Sequence, residues 1–298
     1  MGKLAGLRRV LRPFTCLRER RQEEEFRKRR QEIDRRQRVG LKHLPDVFAV
    51  VSWGCTATKW LAATLCAHPR IFCVHSFRYI QGPFFPQEAQ LADLDSLNLI
   101  QLLGRGYALA GDVHGIDVGS VPQIRDYFGE RFRAAAVTRE PVQRLLSQIS
   151  IFEQHHYAET VWNDVGRVRD LPGFRCVARH FADRKKRFFM YAAGKLNSIL
   201  TERRLCPVYR MEDLTSRPEV LGELVSHLAG EKFAVDPGWA REVVARPAVN
   251  RHRHGPFRPT LSEPWQFEVL DALVQPEARD AYRRLGYATA DDWDAARI

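Results

Sequence analysis

From about residue 45 onward, short apolar runs alternate with longer amphipathic stretches. Apolar runs bounded by turn formers read as buried strands, and apolar positions three and four apart read as helices. On that pattern VFAVVS (47–52), IFCVH (71–75), YALAGDV (107–113), FRAAAVT (132–138) and CPVYRM (206–211) are strands. Helices are predicted over 58–69, 88–103, 120–130, 140–152, much of 158–203, 218–228 and 264–284. Pro122 and Pro141 fall in first turns, where a missing N–H costs little, and Pro69 stops the first helix. Alternating strands and helices predict an α/β fold, a parallel sheet covered by helices on both faces. No internal repeat or low-complexity linker divides 43–298, which reads as one domain.

Residues 1–42 follow another pattern and read as a charged helical arm. Leu4, Leu7, Leu11 and Phe14 recur at helical spacing between arginines, with Pro13 set to kink or cap any helix there. The following RERRQEEEFRKRRQEIDRRQR (18–38) has Phe26 and Ile33 as its large apolar residues, a heptad apart. Acids and bases three or four residues apart support a solvated helix. Charge marks the same boundary. Of the net +11, residues 1–42 hold 15 Lys/Arg against 6 Asp/Glu, leaving 32 against 30 for the rest. The basicity therefore belongs to the arm, and no nucleic-acid recognition motif accompanies it, so no nucleic-acid partner is expected. Besides a solvated extension, the arm suits an anionic membrane surface or a protein partner.

Other classes are narrowed by composition. No apolar run reaches about 18 residues, and the basic start lacks a continuous apolar h-region, so neither a membrane span nor a secretory signal is expected. The six cysteines form no C-x-x-C pair and mostly sit in apolar context, which favours buried, reduced thiols in a cytoplasmic protein, peripheral to a membrane if the arm binds one. No spacing suggests a metal site.

Ligands of open parallel sheets sit beyond the carboxyl ends of the strands, and three segments there carry chemistry. The first is SWGCTATKWL (52–61). Backbone N–H groups from Gly54 through Cys55, Thr56 and Ala57 to Thr58 open a helix and can bind an anion, with Lys59 adding charge. The turn is P-loop-like, but G-x-x-x-x-G-K-[ST] is absent, and it can equally be a plain strand-to-helix turn. The second is VTREPVQRLLSQ (137–148), with Arg139 at a strand end, Arg144 five residues on and Ser147 eight residues on. An arginine so placed can grip a phosphate bidentately, with the serine hydroxyl completing the shell, although surface charges are the plainer reading. The third is GDVHG (111–115), where His114 stands among small residues as a candidate general base or as a structural histidine. A dense basic run, NRHRHGPFRPT (250–260), reads as a loop.

In order and character these segments resemble the sulfotransferases that use 3′-phosphoadenosine-5′-phosphosulfate (PAPS), over about 45–290. Trp60-Leu61 stand where that family closes its 5′-phosphosulfate loop, and Arg139-Glu140-Pro141-x-x-Arg144 with Ser147 is similar to its 3′-phosphate motif. Tyr209 to Leu214 is similar to its Tyr-Glu-Asp-Leu strand end, and Leu285-Gly286-Tyr287 to the ending of bacterial members. The resemblance implies PAPS as co-substrate, no metal, and a carbohydrate or other small-molecule acceptor. It implies Arg139 and Ser147 on the 3′-phosphate, and Gly54 to Trp60 around the 5′-phosphosulfate. Arg251 and Arg253 would close over the cofactor, and His114 would be the base with Lys59 beside it. Two departures are plain: Cys55 replaces the loop lysine, and Asp112 replaces a lysine two residues before the histidine. A P-loop kinase-like transferase and a non-catalytic binding protein of the same fold are the alternatives.

Overall fold

In this computed structural model the described residues are 44–53, 56–77, 89–155, 173–181, 183–246 and 261–287. The arm 1–42 and the site candidates Gly54, Cys55, Arg251 and Arg253 lie outside them, as do Tyr79, Phe84, Phe85, Tyr157 and Trp162 of the stretches 76–90 and 153–190, whose aromatics and arginines make them the expected acceptor-facing segments.

Five strands form one wholly parallel sheet in the order β2-β3-β1-β4-β5. They are β1 Asp46–Val51, β2 Ile71–His75, β3 Leu109–Val113, β4 Phe132–Thr138 and β5 Val208–Arg210. The period of two divides β1 between two cores. Val47, Ala49 and Val51 face one side, with Leu97, Ile100, Val121 and Ile124. Phe48 and Val50 face the other, with Trp60, Leu61, Leu65, Leu221 and Leu224. Both faces of the sheet are thus buried under helices, which is why the central strands read as unbroken apolar runs.

The helices that position the site are α1 Thr58–Cys66, α2 Ala89–Leu103, α3 Val121–Phe128 and α4 Pro141–His155. Next along the chain come α5 Phe174–Val177, α6 Arg184–Lys195, α7 Ser198–Leu205, α8 Met211–Ser216, α9 Pro218–Ala229 and α10 Pro237–Val244. The last two among the described residues are α11 Pro264–Leu273 and α12 Pro276–Arg284. A third core beside the sheet joins Leu145 of α4 to Phe188, Phe189 and Met190 of α6 and to Leu270 and Tyr282 near the C-terminus.

Several expectations need correction. The single helix over 264–284 is two, because Val274 and Gln275 are extended before Pro276, as the clash with a proline ring demands. Helix α10 was not anticipated; Asp236 caps it by accepting from the Gly238 N–H, with Pro237 in its first turn. Among the described residues the thiols are free but not uniformly buried: Cys73 and Cys206 are buried, whereas Cys66 and Cys176 are exposed. Among the described residues no helix is long and apolar enough to cross a membrane.

Candidate active site

Strand order locates the crevice. After β1 the chain crosses to β2 on one side, whereas after β4 it crosses to β5 on the other, so the carboxyl ends of adjacent β1 and β4 mark the topological switch point. Val51 lies opposite Ala136, so the segments beginning at Ser52 and at Arg139 leave the sheet side by side. On the other flank of β1, Val50 pairs with Val113, and Val113 pairs with His75. The exits of β1, β2, β3 and β4 thus form one row.

Backbone strain gathers in that row. Among the described residues, the non-glycines with left-handed backbone are Ala57 (φ 53°), Ser76 (φ 55°) and His114 (φ 76°), each following the carboxyl end of a different strand. Such conformations cost about 1–3 kcal/mol each and persist where surrounding contacts hold them. Here the contacts are visible. Ser76 N–H donates to Val113 O (3.0 Å), and His114 N–H donates to Val50 O (2.9 Å). Buried Asp112 ties the two turns together, accepting from the Phe77 N–H (2.7 Å) on one oxygen and the Gly115 N–H on the other. Burial nevertheless pushes its carboxyl up to about 6, against the hydrogen bonds that favour the ion. The carboxylate that replaces the expected lysine is therefore a brace between turns.

Helix α1 begins at left-handed Ala57 with no side-chain cap and no acid in its first turn. Its leading N–H groups have no partner within the helix, and the helix dipole favours an anion there. Thr56 and Thr58 are buried, while Ala57 and Lys59 are exposed. Trp60 is buried in the core and anchors the helix from beneath. The Ser52 and Thr56 hydroxyls hydrogen-bond across the loop.

His114 is half-buried, and its Nδ1 lies 2.7 Å from Ser52 O. A carbonyl can only accept, so Nδ1 carries the proton of the neutral ring and Nε2 is the basic nitrogen. Burial lowers the His114 pKa, which keeps the ring neutral near pH 7, although the bond to Ser52 works the other way. Beside it stands His75, its ring centroid 5.9 Å away and its Nε2 3.0 Å from Thr58 Oγ1. Burial, then the neighbouring His114 and Lys59, lowers the His75 pKa to about 4. Sequence reasoning passed over His75; its place as the final residue of the IFCVH strand was the available signal.

The arginine segment splits. Arg139 is half-buried just past the end of β4, and Ser147 is half-buried on α4. Between them Glu140 caps α4, accepting from the Val142 (3.1 Å) and Gln143 N–H groups. Arg144 points instead into the core and is fully buried. Its guanidinium reaches Thr138 Oγ1 (3.4 Å) and Tyr282 OH (3.1 Å) and lies 5.6 Å from the centre of a Trp53 ring. The two later motifs meet the same segment. Glu212 accepts from the Glu140 N–H (2.9 Å) and the Tyr287 hydroxyl (2.8 Å), and Arg210 donates to Leu285 O (3.1 Å) and lies over the Tyr287 ring. Among the described residues no three His, Cys, Asp or Glu side chains are gathered as a cation site would need.

The comparisons with known proteins are sparse. No family model matches the chain, and no curated protein matches it. Among solved structures, a sulfotransferase from Alicyclobacillus acidocaldarius aligns over 84% of this chain and 98% of that chain, at 14% identity and a TM-score of 0.46.

Proposed function

We propose that the protein is a sulfotransferase that moves a sulfuryl group from PAPS to a hydroxyl or amine of a small-molecule acceptor, with a carbohydrate the leading class. One observation carries the reading: at the switch point an uncapped helix N-terminus stands one histidine away from an imidazole whose Nδ1–H is fixed on Ser52. An anion site and an oriented base are the two things the chemistry needs.

The fit to a doubly phosphorylated nucleotide follows from the donors. The free N–H groups of α1, the Thr58 hydroxyl and exposed Lys59 suit the 5′-phosphosulfate, and half-buried Arg139 with Ser147 suits the 3′-phosphate. PAPS supplies the sulfuryl group and leaves as adenosine 3′,5′-bisphosphate. His114 Nε2 takes the proton of the attacking hydroxyl or amine, a contribution of roughly 10²–10⁴-fold. The α1 donors and Lys59 stabilise charge that grows on the departing phosphate. Exposed Lys59, the second residue of α1, takes the part that Cys55 lacks.

Calorimetry with adenosine 3′,5′-bisphosphate, beside ATP with magnesium, tests the cofactor. Bisphosphate binding that Arg139→Ala abolishes is expected, and binding of ATP with magnesium alone would overturn the reading in favour of a kinase-like transferase. Incubation with labelled PAPS and a panel of sugars and alcohols tests turnover. Product from wild type and none from His114→Ala, with bisphosphate binding kept in both, is expected; bisphosphate binding without any acceptor-dependent product would mark a binding protein.

A further inference from the structure

The scheme above uses the contact between β2 and α1 only to place the helix beside His114 and gives the His75 side chain no task of its own. His75 closes β2, and Thr58 opens α1, seventeen residues earlier. His75 Nε2 lies 3.0 Å from Thr58 Oγ1, and the Ser76 hydroxyl lies 3.5 Å from the same nitrogen. The Thr58 side chain is buried, so its hydroxyl cannot turn freely to water. The left-handed Ser76 and its N–H bond to Val113 O hold the imidazole at this place.

A hydroxyl has one proton to donate. If His75 Nε2 is bare, it accepts a hydrogen bond from the Thr58 hydroxyl, and Thr58 then presents lone pairs to the helix N-terminus, where they repel an anion. If Nε2 carries the proton, it donates to Thr58 Oγ1, and the Thr58 hydrogen is released toward the cradle. The second arrangement satisfies both groups and adds one donor to the uncapped first turn of α1.

We propose that His75 is a positioning residue: as its Nε2–H tautomer it donates to Thr58 Oγ1 and thereby aims the Thr58 hydroxyl at the anion held by the α1 N-terminus. The inference rests on the proposed cofactor site, and it gives His75 no proton transfer of its own. The relay runs His75 Nε2–H to Thr58 Oγ1, then Thr58 O–H to a phosphate or sulfuryl oxygen.

The test uses the full chain and four variants, His75→Gln, His75→Ala, Thr58→Val and the double His75→Ala/Thr58→Val, with adenosine 3′,5′-bisphosphate affinity read by calorimetry. A glutamine amide can donate at the Nε2 position but cannot act as a base. H75Q is therefore expected to bind within about threefold of wild type, and H75A and T58V each about tenfold more weakly, the loss of one charge-assisted hydrogen bond. The double variant is expected to match T58V, because His75 acts only through Thr58. Nitrogen-15 spectra of the His75 ring with bisphosphate bound should show a protonated Nε2 and a bare Nδ1, an observation that a merely structural histidine does not require. Equal affinity of H75A and wild type, a double variant weaker than T58V by a further tenfold, or a bare Nε2 in the complex would each overturn the relay while leaving the cofactor site standing. An H75Q that binds normally yet transfers nothing would make His75 a base and also overturn it. A wild type that binds no bisphosphate removes the cofactor site, and the relay with it.

Discussion

Asp112 offers a sharp test of how the site is built. Its carboxyl is fully buried and braces the turns that carry His75 and His114. Burial raises its pKa from 3.8 to about 6 despite the backbone N–H groups it accepts from. A carboxyl raised in this way binds its proton more tightly in the folded protein than in the unfolded chain. Stability from this group is therefore greatest in acid and falls as pH rises from about 4 through about 6, by about 3 kcal/mol in all. About 2 kcal/mol of that fall lies between roughly pH 4.5 and pH 7.5, where denaturation is practical. Asp112→Asn cannot ionise, but one of its two terminal atoms becomes a donor facing an N–H, a loss of about 1–3 kcal/mol. Urea denaturation of both proteins across this range should find the variant less stable near pH 4.5 by about that amount. The gap should close by about 2 kcal/mol, or reverse, near pH 7.5. A gap that stays constant would show that Asp112 does not titrate in the range. A gap that widens with pH would show that the N–H bonds outweigh burial and that the reasoning has the wrong sign.

Three further outcomes are expected. If His114 is the base proposed above, the acidic limb of the transfer rate should lie below pH 6.5, because the base must be neutral and burial lowers its pKa, and His114→Asn, which tolerates the left-handed backbone, should fold and lose that activity. Gly286→Ala should lower Tm by several degrees, at a cost of about 1–2 kcal/mol, because φ is +81° and a Cβ would stand 2.8 Å from the Arg210 guanidinium; an unchanged Tm would show that Arg210 moves away freely. Arg144→Met should destabilise by about 3–5 kcal/mol, since buried Glu202 loses the cation that opposes the rise in its pKa, and adding Glu202→Gln should recover part of the loss in urea denaturation; a double variant no better than the single would uncouple the pair.

The sheet was readable because both of its faces are buried. Val47 to Val51 must be apolar at every position when Leu97 and Ile100 cover one side and Trp60 and Leu65 the other, so the run itself announces the strand. The C-terminal boundary was misread because the apolar positions of 264–284 keep helical spacing across the break. Only Pro276, with the extension it imposes on Gln275, separates α11 from α12. The strand order was not readable at all. Five parallel strands admit several orders, and what places β3 between β2 and β1 is the packing of helices that a one-dimensional pattern does not encode.

The candidate site was legible where a residue type is rare at its location and opaque where geometry alone gives it meaning. A histidine between Val113 and Gly115 at a strand exit is conspicuous, and so is an arginine just beyond β4. Arg139 and Arg144 share one motif, yet only Arg144 lies within the helix. Arg139 precedes α4 at the crevice, while Arg144, one turn into the helix, points inward to pin Thr138 and Tyr282. The same division explains Asp112 and His114. Along β3 the residues alternate faces, so on an unbroken strand a side chain two places before the histidine would share its outlook, but the left-handed turn at His114 breaks that rule. The turn sends the imidazole toward Ser52 and leaves Asp112 to hold the backbone. The strain at Ala57, Ser76 and His114 is thus the feature that converts strand ends into a site, and sequence hides it because none of the three is a glycine. The compensating contacts, Asp112 with its two N–H groups and Val113 with Ser76, are as much a part of the site as the groups proposed to touch the ligand.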